Sequence, residues 1–312
     1  MSVSLATRVG SLAIGNPVMA ASGTFGYGLD LLEFCPPERL GAIVSKGLSP
    51  KPRIGNPTPR IVETAAGMIN AIGLQNIGVE AFCTEALPRL RERGATVVVN
   101  VFGERMDEYA LVIDRLEREE GVAAYELNVS CPNVTAGGME FGHDPVQLER
   151  LTALCRARTT RPLWVKLSPN APDLVGTARA AVAGGAGALS LINTFRAMAI
   201  DPERRRPVLA TICGGLSGPA IKPLALRMVW EVHKALPEVP LVGIGGIETG
   251  RDAVEFLLAG ASAVQVGTAT FRDPAAPLRI LAEIEQFCTD RAVADIAELI
   301  GGLQWQSVAQ PR

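Results

Sequence analysis

The sequence contains eight short runs of apolar and β-branched residues, and amphipathic stretches separate most of them. The runs cover residues 17–21, 42–45, 96–101, 125–129, 163–167, 188–192, 240–244 and 263–266. The amphipathic stretches include residues 106–120, 145–158, 174–183, 219–236 and 249–259. Short apolar runs that alternate with helical patterns indicate parallel strands joined by helices. Eight such units predict an α/β fold, a (β/α)₈ TIM barrel formed by a single domain over residues 1–312.

An open, doubly wound sheet is the alternative fold for such a pattern. That fold usually carries a G-x-G-x-x-G turn, and this sequence has none. Residues 4–14 predict a small N-terminal hairpin that closes the bottom of the barrel. Long insertions are predicted after strands two, four and six. In a barrel, these insertions rise from the carboxyl ends of the strands, where active sites lie.

Charge and cysteine spacing narrow the possible functions. The net charge of -2 gives no electrostatic basis for binding nucleic acid or an anionic membrane. The six cysteines are scattered without a C-x-x-C pair, so we expect no metal or iron–sulfur site on this chain. No apolar run approaches the ~18 residues of a membrane span. The N-terminal residues do not resemble a signal peptide, and we expect a cytoplasmic protein with reduced thiols.

Polar residues follow or end most of the predicted strands, although barrel cores are apolar. Because the carboxyl ends of barrel strands converge on one face, these side chains predict a binding site there. The residues, taken strand by strand, are Ser22, Lys46, Asn100, Asn128, Cys131, Lys166, Asn193 and Thr194.

Two of these residues allow a structural and a functional interpretation. Cys131 follows a strand, adjoins Pro132 and precedes a glycine-rich loop, which suits an acid/base or nucleophile on a mobile loop. An unpaired cysteine is otherwise usually a small buried hydrophobe. Lys166 lies among apolar neighbours and is costly to bury unpaired. It either forms an ion pair with Glu126 or faces an anionic cofactor or intermediate, and we favour the second interpretation.

Glycine turns end the last two predicted strands. Exposed backbone N–H groups beside helix N-termini bind phosphate, and barrel phosphate sites are frequently built after strands seven and eight. A third glycine turn opens the stretch at 219–236. The glycine-turn residues predicted to hold a phosphate are Gly218, Gly245, Gly246, Gly267 and, beside them, Thr268.

With these residues in place, the sequence resembles the class 1 dihydroorotate dehydrogenases, which are flavin-dependent (β/α)₈ barrels of pyrimidine synthesis. The resemblance covers almost the whole chain, and its two most specific segments are Asn-Ala-Ile-Gly-Leu-Gln-Asn at 70–76 and Asn-Val-Ser-Cys-Pro-Asn at 128–133. Further matches are Lys-Gly at 46–47, Gly-Asn-Pro-Thr-Pro-Arg at 55–60, Val-Lys-Leu-Ser-Pro at 165–169, Ile-Asn-Thr at 192–194 and Gly-Gly-Leu-Ser-Gly at 214–218. Phe102 departs from the pattern, since a smaller residue is expected there.

The resemblance implies oxidation of (S)-dihydroorotate to orotate, with FMN as the cofactor on this chain. It implies a catalytic set of Cys131 as base together with Lys46 and Lys166. The implied substrate-binding residues are Lys46, Asn70, Ala71, Ile72, Gly73, Leu74, Asn128, Asn193 and Thr194. The implied FMN-binding residues are Ser22, Lys46, Gly47, Asn100, Asn128, Lys166, Ile192, Gly218, Gly245, Gly246, Gly267 and Thr268.

The motifs look most like the NAD-linked B type of class 1. That type implies a partner subunit carrying FAD and a 2Fe–2S cluster, in a heterotetramer of two plus two, with a homodimer of this chain. The fumarate-linked A type is the alternative within the class. A phosphate-binding barrel lyase or isomerase without flavin is the alternative outside it, because such enzymes also use glycine turns after strands seven and eight.

Overall fold

Eight parallel strands close into a barrel in the computed structural model, which describes residues 3–130, 132–133 and 139–304. The predicted barrel is therefore confirmed. Closure occurs where the first strand pairs with the eighth, with Met19 in register with Gln265. In chain order, the barrel strands are Val18–Ala20, Ala42–Val44, Val97–Val101, Val122–Asn128, Leu163–Lys166, Ala188–Leu191, Leu241–Ile244 and Ala261–Val266.

The predicted hairpin at the N-terminus is also confirmed, as Thr7–Val9 paired with Leu12–Ile14. Its buried Val9 and Ile14 join an apolar cluster with inward-facing residues of the lower barrel, including Trp164. Burial of this cluster removes apolar surface from water, which stabilises the closed bottom of the barrel. The opposite, carboxyl-terminal end of the barrel interior is the polar one.

Helices surround the barrel and bury their apolar faces against the outer faces of the strands. They lie close to the predicted stretches, with ends that differ by a few residues. The first helix turns from α to π and back to α between residues 78 and 92, and Pro219–Ile221 is a 3₁₀ turn rather than α-helix. The structure describes every residue that connects the first strand to the second. The helical structure in this connection is a single 3₁₀ turn, Pro37–Arg39. The main α-helices are Met106–Leu116, Pro145–Arg156, Leu174–Ala183, Lys222–Ala235, Gly250–Leu258 and Ala276–Asp290.

The second-strand and sixth-strand insertions combine into one four-stranded antiparallel sheet, here called the insertion sheet. Its strands, in spatial order, are Phe195–Met198, Cys213–Ser217, Gly67–Asn70 and Ile61–Thr64. The Gly-Gly-Leu-Ser-Gly segment at 214–218, which leads into the predicted glycine turn before residue 219, therefore lies mostly in a strand. A Cβ atom on Gly214 would lie 2.5 Å from the carbonyl oxygen of Asn70, so this close strand contact requires glycine.

Two smaller hairpins complete the insertions. The sixth-strand insertion also pairs Ile200–Asp201 with Arg206–Pro207, and the fourth-strand insertion pairs Pro132–Asn133 with Met139–Glu140. All three long insertions predicted from the sequence are thus present. Among the helices in the described part of the chain, none is both long enough and apolar enough to cross a membrane.

Candidate active site

Two adjoining cavities open at the carboxyl-terminal end of the barrel. The first has a volume of about 540 Å³ and is lined by residues at the ends of the first, second, fifth, sixth, seventh and eighth strands. The second has a volume of about 720 Å³ and lies under the insertion sheet. Six residues line both cavities and form their common wall, namely Lys46, Arg53, Asn70, Ile72, Asn193 and Thr194.

The far end of the first cavity is built from glycine turns. Gly218, Gly245 and Gly246 all have positive φ angles, of 98°, 132° and 70°, a region that side chains other than glycine rarely adopt. Their backbone N–H groups have no hydrogen-bond acceptor within residues 3–130, 132–133 and 139–304. Beside them, the Thr268 hydroxyl donates to the Ser217 hydroxyl at 2.8 Å. The turns therefore present free donors of the kind that bind an anion.

Two lysines supply positive charge at the other end of the first cavity. Lys166 ends the fifth strand and is only 6% exposed. Neither Lys166 nor Lys46 forms an ion pair in the described part of the chain. Burial lowers the pKa of Lys46, and the nearby positive charges of Arg60 and Lys166 lower that pKa further. Because a buried cation without a counter-ion is costly, these lysines indicate an anionic ligand. The ion pair between Lys166 and Glu126, weighed as an alternative, does not form.

Amide side chains dominate the second cavity. Nδ2 of Asn193 donates to Oδ1 of Asn128 at 3.3 Å, and Oδ1 of Asn193 accepts from the N–H of Thr194 at 2.9 Å. From the insertion sheet, Nδ2 of Asn70 donates to the carbonyl of Gly215 at 3.3 Å. These contacts fix the amide planes before any ligand enters. All nine residues predicted to bind substrate line this cavity.

Nine of the twelve predicted cofactor residues line the first cavity, and the other three lie elsewhere. Asn128 lines the second cavity. Gly47 and Asn100 lie against each other next to the cavities, outside the lining of either. Cys131, the predicted base, lies outside the described residues. Those that do line the first cavity are Ser22, Lys46, Lys166, Ile192, Gly218, Gly245, Gly246, Gly267 and Thr268.

Three arginines and a glutamate at the cavities did not emerge from the sequence reasoning. Arg53 and Arg60 line the first cavity, and Arg53 pairs with Glu104 at 2.6 Å. Arg196 comes from the insertion sheet. Arg60 could have been predicted as a site residue, because it ends the Gly-Asn-Pro-Thr-Pro-Arg segment that matches the family. Arg53, Glu104 and Arg196 follow no strand-end pattern, so only the fold brings them to the site. Within the described part, no group of three or more metal-ligating side chains comes together.

The family model for dihydroorotate dehydrogenase matches residues 4–288 of this chain. The chain belongs to the dihydroorotate dehydrogenase family. Members of this family are oxidoreductases. The sequence motifs that resemble dihydroorotate dehydrogenases meet at the two cavities, at the carboxyl-terminal end of the barrel.

Similar proteins within the dihydroorotate dehydrogenase family share more than half of the sequence. A protein of Citrifermentans bemidjiense named dihydroorotate dehydrogenase B (NAD(+)), catalytic subunit, is 55% identical over 300 residues, which are 96% of this chain and 98% of that protein. A protein of the same name from Trichlorobacter lovleyi is 55% identical over 304 residues, covering 97% of this chain and 100% of the relative. The resemblance to the B type is thereby confirmed.

A solved structure shares the fold at much lower sequence identity. It is the crystal structure of DHODH in complex with ferulenol from Eimeria tenella, with a TM-score of 0.79 and 24% identity. The match covers 96% of this chain and 88% of that one. At this identity, the likeness supports the barrel fold alone.

Proposed function

We propose that this chain oxidises (S)-dihydroorotate to orotate in pyrimidine biosynthesis, using FMN. The observation that carries the proposal is the common wall of the two cavities. Residues predicted to bind substrate surround one cavity, most residues predicted to bind FMN surround the other, and Lys46 borders both. A substrate and a flavin held in these cavities would meet at Lys46.

The first cavity fits FMN in size and in chemistry. Its volume of about 540 Å³ lies in the range of small-molecule sites. The free N–H groups of Gly218, Gly245 and Gly246 suit the phosphate, and Ile192 and Ile244 provide apolar contact for the ring system. Lys166 and Lys46 would lie toward the part of the ring that becomes negative on reduction. Bound FMN would supply the two-electron acceptor for the hydride of dihydroorotate.

The chain's own residues would handle the proton and orient the substrate. The reaction breaks the C5–H bond as a proton and the C6–H bond as a hydride, and the C5–C6 double bond forms. We assign Cys131 as the base that takes the C5 proton. The amides of Asn70, Asn128 and Asn193 offer paired donors and acceptors that match a pyrimidine edge. Lys46 would attract the substrate carboxylate.

We further propose that a second subunit carries the electrons to NAD. The names of the two relatives include both NAD(+) and catalytic subunit. Beside the first cavity, Phe271 and Ile61 are 56% and 49% exposed, which suits an apolar contact near the flavin edge. The proposed partner holds FAD and a 2Fe–2S cluster, and two copies of each subunit form a heterotetramer around a homodimer of this chain.

Purified protein tests the proposal directly. We expect bound FMN, visible as flavin absorbance, and turnover of dihydroorotate with an artificial electron acceptor. A colourless protein that binds phosphate sugars would support the lyase or isomerase alternative instead. Flavin without dihydroorotate turnover would contradict the proposed substrate. Efficient turnover with fumarate would assign the chain to the A type.

A further inference from the structure

A buried carboxylate lies in the barrel interior beneath the two cavities. Glu126 is fully buried and is the single acidic side chain among the buried residues of the described part. Its oxygens accept hydrogen bonds from Nδ2 of Asn100 at 2.8 Å and from Nε2 of Gln265 at 2.7 Å. The Ser190 hydroxyl donates a third hydrogen bond at 2.8 Å. Because an ionised carboxylate only accepts, three converging donors suit the charged form.

These hydrogen bonds determine how the two amides are turned. Each amide has one amino group and one carbonyl oxygen, and Glu126 takes the amino group of both Asn100 and Gln265. The carbonyl oxygens therefore point away from the carboxylate. Oδ1 of Asn100 and Oε1 of Gln265 are buried and accept no hydrogen bond within the described chain. A buried acceptor without a donor is destabilising, so the hydrogen bonds to Glu126 must offset this cost in both amides.

Oδ1 of Asn100 points toward the loop that carries Lys46. A Cβ atom on Gly47 would lie 2.7 Å from this oxygen, so the carbonyl lies against the backbone of the residue after Lys46. If the amide were reversed, its amino group would lie against Gly47 and its carbonyl oxygen would face the Glu126 carboxylate. The carboxylate of Glu126 excludes that orientation.

The carboxylate also lies one layer beneath the cations. Glu126 precedes Asn128 by two residues on the same strand, and Asn128 is in register with Lys166. Two residues along a strand correspond to roughly 6–7 Å. A unit charge at that distance in a barrel interior is screened far less than at the surface. Glu126 is therefore placed to influence the potential in the first cavity.

We propose that Glu126 is a positioning residue for the flavin site. Its charged carboxylate holds the Asn100 carbonyl against Gly47, the residue after the cavity-lining Lys46, and moderates the positive potential of Lys46 and Lys166. The inference rests on the proposed FMN site and adds a residue that touches neither cavity.

The Glu126→Gln variant removes the negative charge and replaces one of the two accepting oxygens with an amino group. The amino groups of Asn100 and Gln265 both donate to this side chain in the wild-type protein. One amide must then rotate or lose its hydrogen bond, so we expect FMN to bind FMN-free protein about tenfold more weakly. The midpoint potential of the bound flavin should rise, because reduced flavin is the more negative form and loses a nearby anion. Fluorescence titration and dye equilibration measure these two quantities.

Two further variants separate positioning from general core damage. Trp164→Phe alters a buried neighbour in register with Glu126 and should lower thermal stability while leaving FMN affinity and flavin potential unchanged. The double variant N100D/E126Q exchanges amide and carboxylate across the same hydrogen bond. It keeps an acceptor against Gly47, and it should restore FMN affinity to within about threefold of wild type even if E126Q alone does not fold.

The outcomes are distinct. If E126Q loses only thermal stability, as the Trp164 variant does, and keeps the wild-type FMN affinity and potential, Glu126 is a structural core residue and the inference is overturned. Loss of FMN affinity by more than tenfold in a folded double variant would also overturn it. A wild-type protein that binds no FMN would instead contradict the proposed function itself.

Discussion

The amide of Asn193 is hydrogen-bonded to the amide of Asn128 across the end of the fifth strand. Nδ2 of Asn193 donates to Oδ1 of Asn128 at 3.3 Å, which joins the carboxyl ends of the sixth and fourth barrel strands above Lys166. Both side chains are thereby oriented in the protein without ligand. Orientation of this kind lowers the entropic cost of binding a planar substrate.

Replacement of Asn193 by alanine should therefore weaken substrate binding. We expect KM for dihydroorotate to rise about tenfold or more, because an alanine leaves substrate polar groups and Asn128 without a partner. FMN content should not change. Asn16→Ala is a matched control, since Asn16 accepts from the N–H groups of Val18 and Gly41 at the other end of the barrel. That variant should lose stability and keep KM, and an unchanged KM in the Asn193 variant would remove this residue from the substrate site.

Cys131→Ala should keep FMN and substrate binding but lower turnover by roughly two to four orders of magnitude, the usual contribution of a general base. Wild-type turnover should rise toward alkaline pH as the thiolate forms, near ~8.5 for an unperturbed cysteine. Cys131→Ser should retain some turnover, shifted to higher pH. Cys288→Ala, which removes a thiol from the helix Ala276–Asp290, is the control. Full activity of the Cys131→Ala protein would exclude the assignment.

Lys166→Ala should weaken FMN retention or slow flavin reduction, since the variant lacks a fixed cation beside developing negative charge. The structure offers no ion-pair partner for Lys166 in its described part, so loss of a structural salt bridge cannot account for such an effect. Stopped-flow reduction by dihydroorotate and the flavin midpoint potential measure it. Equal rates and potentials in variant and wild type would contradict an electrostatic role.

The affinity for orotate should decrease at alkaline pH because Lys46 loses its proton. Burial and the neighbouring positive charges lower the pKa of Lys46, so the charged form is lost below the ordinary lysine value of 10.5. A bound carboxylate favours the charged form, so binding must weaken as the pH rises through this pKa. Titration with orotate at several pH values, followed by flavin absorbance, tests this. Lys46→Met should bind weakly with no such pH dependence, and a wild-type affinity independent of pH up to 10.5 would count against the prediction.

The isolated chain should oxidise dihydroorotate with artificial dyes but should not reduce NAD. The sequence contains no G-x-G-x-x-G turn for a dinucleotide and no cysteine cluster for an iron–sulfur relay. NAD reduction should appear when the proposed FAD and 2Fe–2S subunit is added. The assay is NADH absorbance with homogeneous protein, first alone and then with the partner. Robust NADH formation by the chain alone would disprove the two-subunit assignment.

The barrel and much of the site were predictable because they depend on local sequence patterns. The run at 96–101 is rich in β-branched residues and so predicts a strand by composition alone. Lys166 is recognisable from the sequence because it is a charged residue within an apolar run. Glu126 was considered only as an ion-pair partner, since its actual partners lie on three other strands and no local pattern joins Asn100, Ser190 and Gln265. Arg53 and Glu104 are likewise brought together only by the tertiary fold.

The insertion sheet has a consequence for protein engineering. Its central pair joins Asn70 to Gly215, which are 145 residues apart in the chain, with Gly214 packed directly against the backbone of Asn70. Replacing one insertion with the corresponding segment of a more distant relative would break this register, because the other insertion would keep its own glycines and strand length. Chimeric enzymes with altered substrate range should therefore be built by transferring the second-strand and sixth-strand insertions together from the same donor protein.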